Sequence, residues 1–296
     1  MSRPRPLPHS ELHERHLLYE SLGVSVVDFR CRAHVEPDGP EEPNPTHSIV
    51  LVRRGVFRRT WRGDACLADP NHVLFFNAAE PSSFAHPLPG GDDCTILTVD
   101  AQRAVELVAR HSPEDVEDPE TPFRVGHAPS SRHVARLHFE LLARIRRRDA
   151  ALVVDDTLSE LADESVRVAY RTRTGLEPRR TVSAATRRRH HDLTEAVKLA
   201  INQRLESPPR LSDLGRALGC SPFHLSRIFR ETAGVRLRRY TQQLRARMAA
   251  DRLTRGARNL TELALDLGYS DHSHLTNAFR REWGLPPSRF KAPGIP

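Results

Sequence analysis

Several kinds of residue are scarce in this 296-residue chain, and each scarcity removes a class of protein. There are four cysteines, Cys31, Cys66, Cys94 and Cys220, too few and too scattered for a disulfide framework in a chain of this size. No apolar run approaches the about 18 residues a membrane-spanning helix needs. The opening stretch, Met1–Ser10, is rich in proline and arginine and lacks the apolar segment of a secretory leader. The expectation is a soluble, cytoplasmic protein with no membrane partner.

Acidic residues are unevenly short. Residues 1–170 carry a net charge of −7, residues 171–189 carry +6 and residues 190–296 carry +8, within a total of +7. An acidic front joined to a basic back implies different partners for the two parts, and a polyanion for the second.

The front reads as strands. Val24–Phe29, Ser48–Val52, Gly55–Trp61, His72–Phe76 and Cys94–Val99 are short β-branched or alternating runs. Gly63-Asp64 is a hairpin-type turn, and Glu36–Pro45, with five prolines and glycines, reads as a loop. Strands this short and this closely spaced predict a small β-barrel or sandwich over residues 20–105, behind a disordered arm at 1–19. Residues 106–170 turn helical. Gln102–Arg110 is a short helix, 112–122 a loop, and Ser131–Arg148 carries Val134, Leu137, Leu141, Leu142 and Ile145 at helical spacing. With Asp156–Tyr170 this makes a helical hairpin that either packs on the barrel or forms a homodimer contact. Arg171–Arg189 lacks helical periodicity and reads as a basic linker, with Arg187, Arg188 and Arg189 available to phosphate.

From residue 190 to 296 the chain reads as all helix, and it contains one pattern written twice. Leu211-Ser-Asp-Leu-Gly-Arg-Ala-Leu-Gly219-Cys-Ser221 is answered by Leu260-Thr-Glu-Leu-Ala-Leu-Asp-Leu-Gly268-Tyr-Ser270. Leu225-Ser-Arg-Ile-Phe229-Arg230 is answered by Leu275-Thr-Asn-Ala-Phe279-Arg280. The offset is 49 residues in the first half and 50 in the second, so one junction is a residue longer. A period of this length is a repeated supersecondary unit. Ser212 and Thr261 are expected to cap the first helix of each copy, Gly219 and Gly268 to end it, and Ser221-Pro222 and Ser270 to open the next. Two helices joined by so short a turn cross steeply, as in a helix-turn-helix.

On the second helix of each copy, Leu225, Ile228, Phe229 and Leu275, Ala278, Phe279 are the expected anchors. Phe223, His224, Ser226, Arg227 and Arg230, and His272, Ser273, Thr276, Asn277 and Arg280, are left facing outward. Arginine suits guanine, asparagine adenine, serine or threonine either, and phenylalanine the thymine methyl. Arg230, Arg280 and Arg281 suit phosphate. The helix expected between the copies, Leu237–Arg255, is long enough to set two reading helices on one face of a duplex.

Leu211–Lys291 resembles the DNA-binding domain of the AraC/XylS family of bacterial transcription regulators. The residues that carry the resemblance are Ser221–Arg230, Gly234, Tyr240, Leu263-Ala264, Gly268–Asp271, Phe279-Arg280, Gly284 and Pro287–Phe290. The resemblance implies seven helices, sequence-specific binding to double-stranded promoter DNA, and RNA polymerase as a partner. It places base reading at Phe223, Ser226 and Arg227, and at His272, Ser273, Thr276 and Asn277. Gly215, where the family has alanine, Leu275 in place of an aromatic and Asn277 in place of an arginine depart from its pattern, so the second copy is expected to read bases more permissively.

For the front half the same resemblance implies a cupin-like sensor modulated by a small-molecule effector. The fold class expected for the whole is therefore α+β and multidomain: a cupin-like β-barrel with a helical hairpin, then an all-α domain of two helix-turn-helix units. No His-x-His pair occurs between residues 20 and 105, which argues against a metal-dependent oxygenase and for a non-enzymatic protein. Cys31, His34, His86 and Cys94 nevertheless form a candidate tetrahedral zinc set. The alternative is two small buried thiols and two loop histidines. Cys66 and Cys220 read as packing residues.

Overall fold

A computed structural model describes residues 13–21, 23–32, 39–175 and 183–290. The chain forms two compact units, Met1–His127 and Ala128–Pro296.

The first unit is built from antiparallel strands: β1 (His13–Ser21), β2 (Val24–Cys31), β3 (Glu42–Pro43), β4 (His47–Gly55), β5 (Phe57–Trp61), β6 (Asp64–Ala68), β7 (His72–Phe76), β8 (Pro81–Ala85) and β9 (Asp92–Val99). One sheet runs in the order β1-β2-β9-β4-β7 and the other β3-β8-β5-β6. Val50, Val52, Phe57, Leu74, Phe76 and Cys94 fill the space between them, with Phe29, Phe84 and Ile96 packed alongside. Helix α1 (Ala101–Ala109) follows β9, capped by Asp100, whose carboxylate accepts from the Arg103 backbone N–H at 2.7 Å.

Three expectations change here. Residues 13–19 are not an arm but most of β1, held by antiparallel pairing to β2 from His13↔Cys31 to Ser21↔Val24. Its charged sequence hides the strand because β1 lies at the sheet edge with most side chains in solvent. The 36–45 loop contributes β3 through Glu42↔Ser82 and Pro43↔Pro81. Strands β6 and β8 are additional, completing the second sheet through pairing to β5.

The second unit is helical: α2 (Arg132–Arg147), α3 (Ala151–Gly175), α4 (Ala184–Gln203), α5 (Leu211–Ala217), α6 (Pro222–Ala233), α7 (Leu237–Thr254), α8 (Leu260–Asp266) and α9 (His272–Trp283), closed by a 3₁₀ turn at Pro287–Arg289. The expected linker 171–189 is largely helix: its start ends α3, and its end opens α4 behind the Ser183 cap, whose hydroxyl accepts from Thr186 N–H at 3.2 Å. Residues 176–182 of it lie outside the described residues. Val134, Leu137, Leu141 and Leu142 of α2 are buried within the chain. Ile145, at the end of the same stripe, is half-buried.

Two hydrophobic cores organise α4–α9. Val197, Ile201, Leu214, Leu225, Phe229, Tyr240 and Leu244 form the first. Ala246, Ala249, Ala250, Leu253, Leu263, Ala264, Leu275, Phe279 and Trp283 form the second, and Ala135 and Phe139 of α2 belong to it. Phe139 meets Trp283 edge-on at 5.0 Å, and the Trp283 indole N–H donates to the Ala246 carbonyl at 3.1 Å.

In the first unit a buried charge pair ties three strands. Arg53 sits where the β4–β9 register slips between Val52 and Arg54, a bulge that re-aims its side chain. Its guanidinium pairs with Asp28 of β2 and donates to the Cys94 carbonyl of β9 at 3.1 Å, while Arg30 also pairs with Asp28 at 3.0 Å. Burial alone would raise the Asp28 carboxyl, but Arg53 and then Arg30 outweigh it and hold the group below the usual carboxylate range. A carboxyl lowered in the folded state stabilises above its unfolded value and loses that contribution as pH falls through the folded one. Asp28→Ala is expected to cost about 3–5 kcal/mol at pH 7 by leaving Arg53 unpaired. The difference from the unsubstituted protein should shrink in urea unfolding below about pH 3.8, the ordinary aspartate value.

Candidate nucleic-acid interface and effector cavity

Each copy of the repeat folds as two helices and a tight turn. Ser221 caps α6, its hydroxyl accepting from His224 N–H at 3.2 Å, with Pro222 at the first helical position. Gly219 and Gly268 hold φ of +65° and +73°, the left-handed region where a side chain is strained. At Gly268 a β-carbon would also collide with the Glu206 carbonyl oxygen and the Arg245 guanidinium. That guanidinium donates to the Leu205 carbonyl at 3.0 Å, joining the α4–α5 connection to α7 beside the second turn.

The other caps differ from expectation. α5 begins one residue early at Leu211, with no side-chain cap, and Ser212 lies inside it. Asn259, not Thr261, caps α8, accepting from Thr261 and Glu262 N–H at 3.1 and 3.2 Å. Asp271, not Ser270, caps α9, accepting from His274 N–H at 2.8 Å. The added residue of the second junction therefore supplies the cap.

α6 and α9 present matching surfaces. Leu225, Ile228 and Phe229 are buried, as are Leu275, Ala278 and Phe279. Phe223 is 83% exposed, so an aromatic ring stands in solvent at the start of α6. Arg227 and Arg230 are exposed, and His224 and Ser226 half-buried. On α9, His272, Ser273, Asn277, Arg280 and Arg281 are exposed and Thr276 is half-buried. The Arg227 guanidinium rests 3.2 Å from His224 Nδ1 on its own helix, and Arg281 Nε donates to the Asn277 carbonyl at 3.2 Å. The two helices thus offer hydrogen-bonding side chains of both donor and acceptor type, with arginines one turn further on.

The first unit contains a cavity of about 290 Å³ between its sheets. Val27, Phe29, Phe57, Phe76, Phe84 and Ile96 give it an apolar wall, and His13, Arg15, Glu42, Ser48 and Thr98 a polar one. Cys31, His86 and Cys94 of the expected zinc set also line it, and His34 lies outside the described residues. Asp92, absent from that set, stands with them. Burial works against a charged His86 imidazole, but hydrogen bonds and charge from Asp92 and Cys31 outweigh it and push the group up to about 10. Only the pairing of β2 with β9 could have pointed to Asp92, since it places the residue opposite Cys31. Cys66 is buried and Cys220 half-buried, and neither is in a disulfide.

Among relatives, residues 214–292 match the family described as "Helix-turn-helix domain". The regulatory protein SoxS of Salmonella typhimurium is 28% identical over 102 residues, which is 34% of this chain and 95% of SoxS. The HTH-type transcriptional regulator GlxA of Rhizobium meliloti is 29% identical over 114 residues, 38% of this chain but only 35% of that protein. A variant of apo ToxT from Vibrio cholerae overlaps 91% of this chain and 97% of its own, at 11% identity and a TM-score of 0.38. No helix among the described residues is long and apolar enough to cross a membrane.

The Gly215 departure has a packing reason. A β-carbon there would lie 2.7 Å from the Cys220 carbonyl oxygen and 3.2 Å from the Pro222 nitrogen. The first turn is folded closely over α5, whereas Ala264 fits at the matching place in the second copy, fully buried. Gly215→Ala is expected to destabilise by about 1–3 kcal/mol in spite of alanine's better helix propensity. A urea midpoint equal to or above the parent's would show that the turn relaxes instead.

Proposed function

We propose that this chain, whose residues 214–292 are a helix-turn-helix domain of the AraC type, is a transcription regulator that reads promoter DNA with two helices and is modulated through its first unit. The observation that carries the reading is the matched pair α6 and α9, with the same anchors inward and hydrogen-bonding residues outward. The α7 helix between them has 18 residues, about 27 Å at 1.5 Å per residue. Successive major-groove faces recur about every 34 Å, so a bridge of this order suits two helices on one side of a duplex. A net charge of +8 over residues 190–296 favours the phosphate backbone.

In this reading Phe223, Ser226 and Arg227 read bases from α6, and His272, Ser273, Thr276 and Asn277 from α9. Arg230, Arg280 and Arg281 hold phosphates. Two antiparallel sheets around a cavity support a cupin-like sensor, and the mixed lining suits a small organic effector with one polar end. At a promoter the protein partner is RNA polymerase.

Arg227→Ala is expected to weaken operator binding by about 1–3 kcal/mol and relax one base position. Arg230→Ala should weaken all sequences alike and lower the salt slope by about one. Quantitative binding to single-base operator variants checks both, and unchanged affinity and selectivity for Arg227→Ala would refute the role given to α6. The same scan should find larger penalties in the half-site facing α6 than in that facing α9, because Asn277 stands where an arginine would grip guanine.

A further inference from the structure

The deepest polar feature of the first unit is a cluster of donors in the cavity wall. Cys31 of β2 pairs in register with Asp92 of β9, and Phe29 pairs with Cys94. Side chains directly opposite and two residues along a strand share one face of the sheet. Cys31, Asp92 and Cys94 are therefore set on one face by backbone pairing alone. His86 arrives from the facing sheet, just after β8. One ligand atom each from Cys31, His86 and Asp92 lies within 4.8 Å of the others. His86 Nε2 is 3.0 Å from Asp92 Oδ1, and the Cys94 thiol donates to Asp92 Oδ2 at 3.2 Å.

We propose that Cys31 Sγ, an imidazole nitrogen of His86 and a carboxylate oxygen of Asp92 bind a divalent cation of the zinc class, with Cys94 orienting Asp92 from behind. One thiolate, one imidazole and one carboxylate suit zinc and not magnesium or calcium. Metal–ligand bonds of about 2.0–2.3 Å put neighbouring tetrahedral ligands about 3.3–3.8 Å apart, so separations of up to 4.8 Å close by at most about 1 Å while His86 and Asp92, at 3.0 Å, part slightly. Asp92 is 2% exposed, and a carboxylate this deep needs compensation. That comes from the His86 imidazole at 3.0 Å and, more weakly, from the Cys94 thiol. A cation there takes the place of the proton that His86 holds against Asp92, so its binding releases a proton. Three protein ligands leave a fourth position, and because all of these residues line the cavity, it is open to water or to a small donor molecule held there. The site stands on its own geometry. Only its use as a sensor rests on the regulatory reading above.

The test is cobalt binding to the reduced full-length protein, followed by absorption. One equivalent of Co²⁺ should give the visible bands of a four-coordinate ion and the near-ultraviolet charge transfer of a single thiolate, both displaced by Zn²⁺. Cys31→Ser should abolish the charge transfer and weaken Zn²⁺ binding at least about 100-fold against a competing chelator. Cys94→Ala, which removes the donor to Asp92, should keep the charge transfer and weaken binding by about 10–100-fold, as loss of an orienting partner does. Cys66→Ser should change neither. If the unsubstituted protein gives no thiolate charge transfer, the proposal fails without reference to any variant. It also fails if the band survives Cys31→Ser, or is lost in Cys94→Ala protein that unfolds with a normal midpoint. DNA binding is not the readout, so loss of the regulatory reading and loss of the metal site are told apart.

Discussion

A single helix shared by two cores governs the second unit. Tyr240 and Leu244 of α7 are buried with Leu225 and Phe229 of α6. Ala246, Ala249, Ala250 and Leu253, further along the same helix, are buried with Leu275 and Phe279 of α9. Neither core has a separate wall at this point, so the angle between α6 and α9 is not a matter of linker length. The small residues of the second set let α8 and α9 approach closely, while Tyr240 meets Phe229 edge-on at 5.4 Å in the first. Had the two copies been joined by a loop, each would fold around its own centre and a fixed spacing would be lost. Arg245 adds a polar tie at the crossover, between the carbonyl of Leu205 and the ring of Tyr269.

The two copies solve the same turn differently. In the first, the chain goes from Gly219 through one residue to the Ser221 cap, close enough over α5 that only glycine fits at 215. In the second, one more residue intervenes, Asp271 becomes the cap, and Ala264 is tolerated beneath it. A carboxylate at a helix N-terminus is favoured by the helix dipole as well as by its hydrogen bond, yet it also sets a negative charge beside the surface that would face phosphate. The second copy thus gains local stability from a group that opposes close backbone approach.

What could be read from the sequence depended on whether burial followed a local period. β7, His72–Phe76, is legible to both ends because it is a continuous run bounded by Asp69-Pro70-Asn71 and Asn77. α6 and α9 are legible because each buried position recurs at helical spacing and is duplicated. β8, Pro81-Ser-Ser-Phe-Ala85, carries no such pattern. Its Ser82 and Ser83 are buried, and Ser82 accepts from the buried Arg59 at 3.1 Å, so polar pairing takes the place of apolar alternation. The basic stretch 171–189 hid two helix ends because arginines on an exposed helix face have no hydrophobic period to show. Of the cavity cluster, the thiols and His86 were visible as residue types. Asp92 was not, since its meaning comes from the strand it faces and nothing in Gly91-Asp92-Asp93 marks one aspartate over the other.

The reach of α2 into the second core bears on where one module ends. Phe139 packs on Trp283 and on Phe290, and Arg247, buried beside Glu282, donates to the Ser130 carbonyl at 2.8 Å. These contacts are made by residues long before the doubled pattern begins. A chimera cut at Ser183, where α4 opens, would leave an aromatic-sized gap beside Trp283 and an arginine buried without its carbonyl. The portable piece of this protein is longer than the motif that announces it, and its proper seam lies ahead of Ser130.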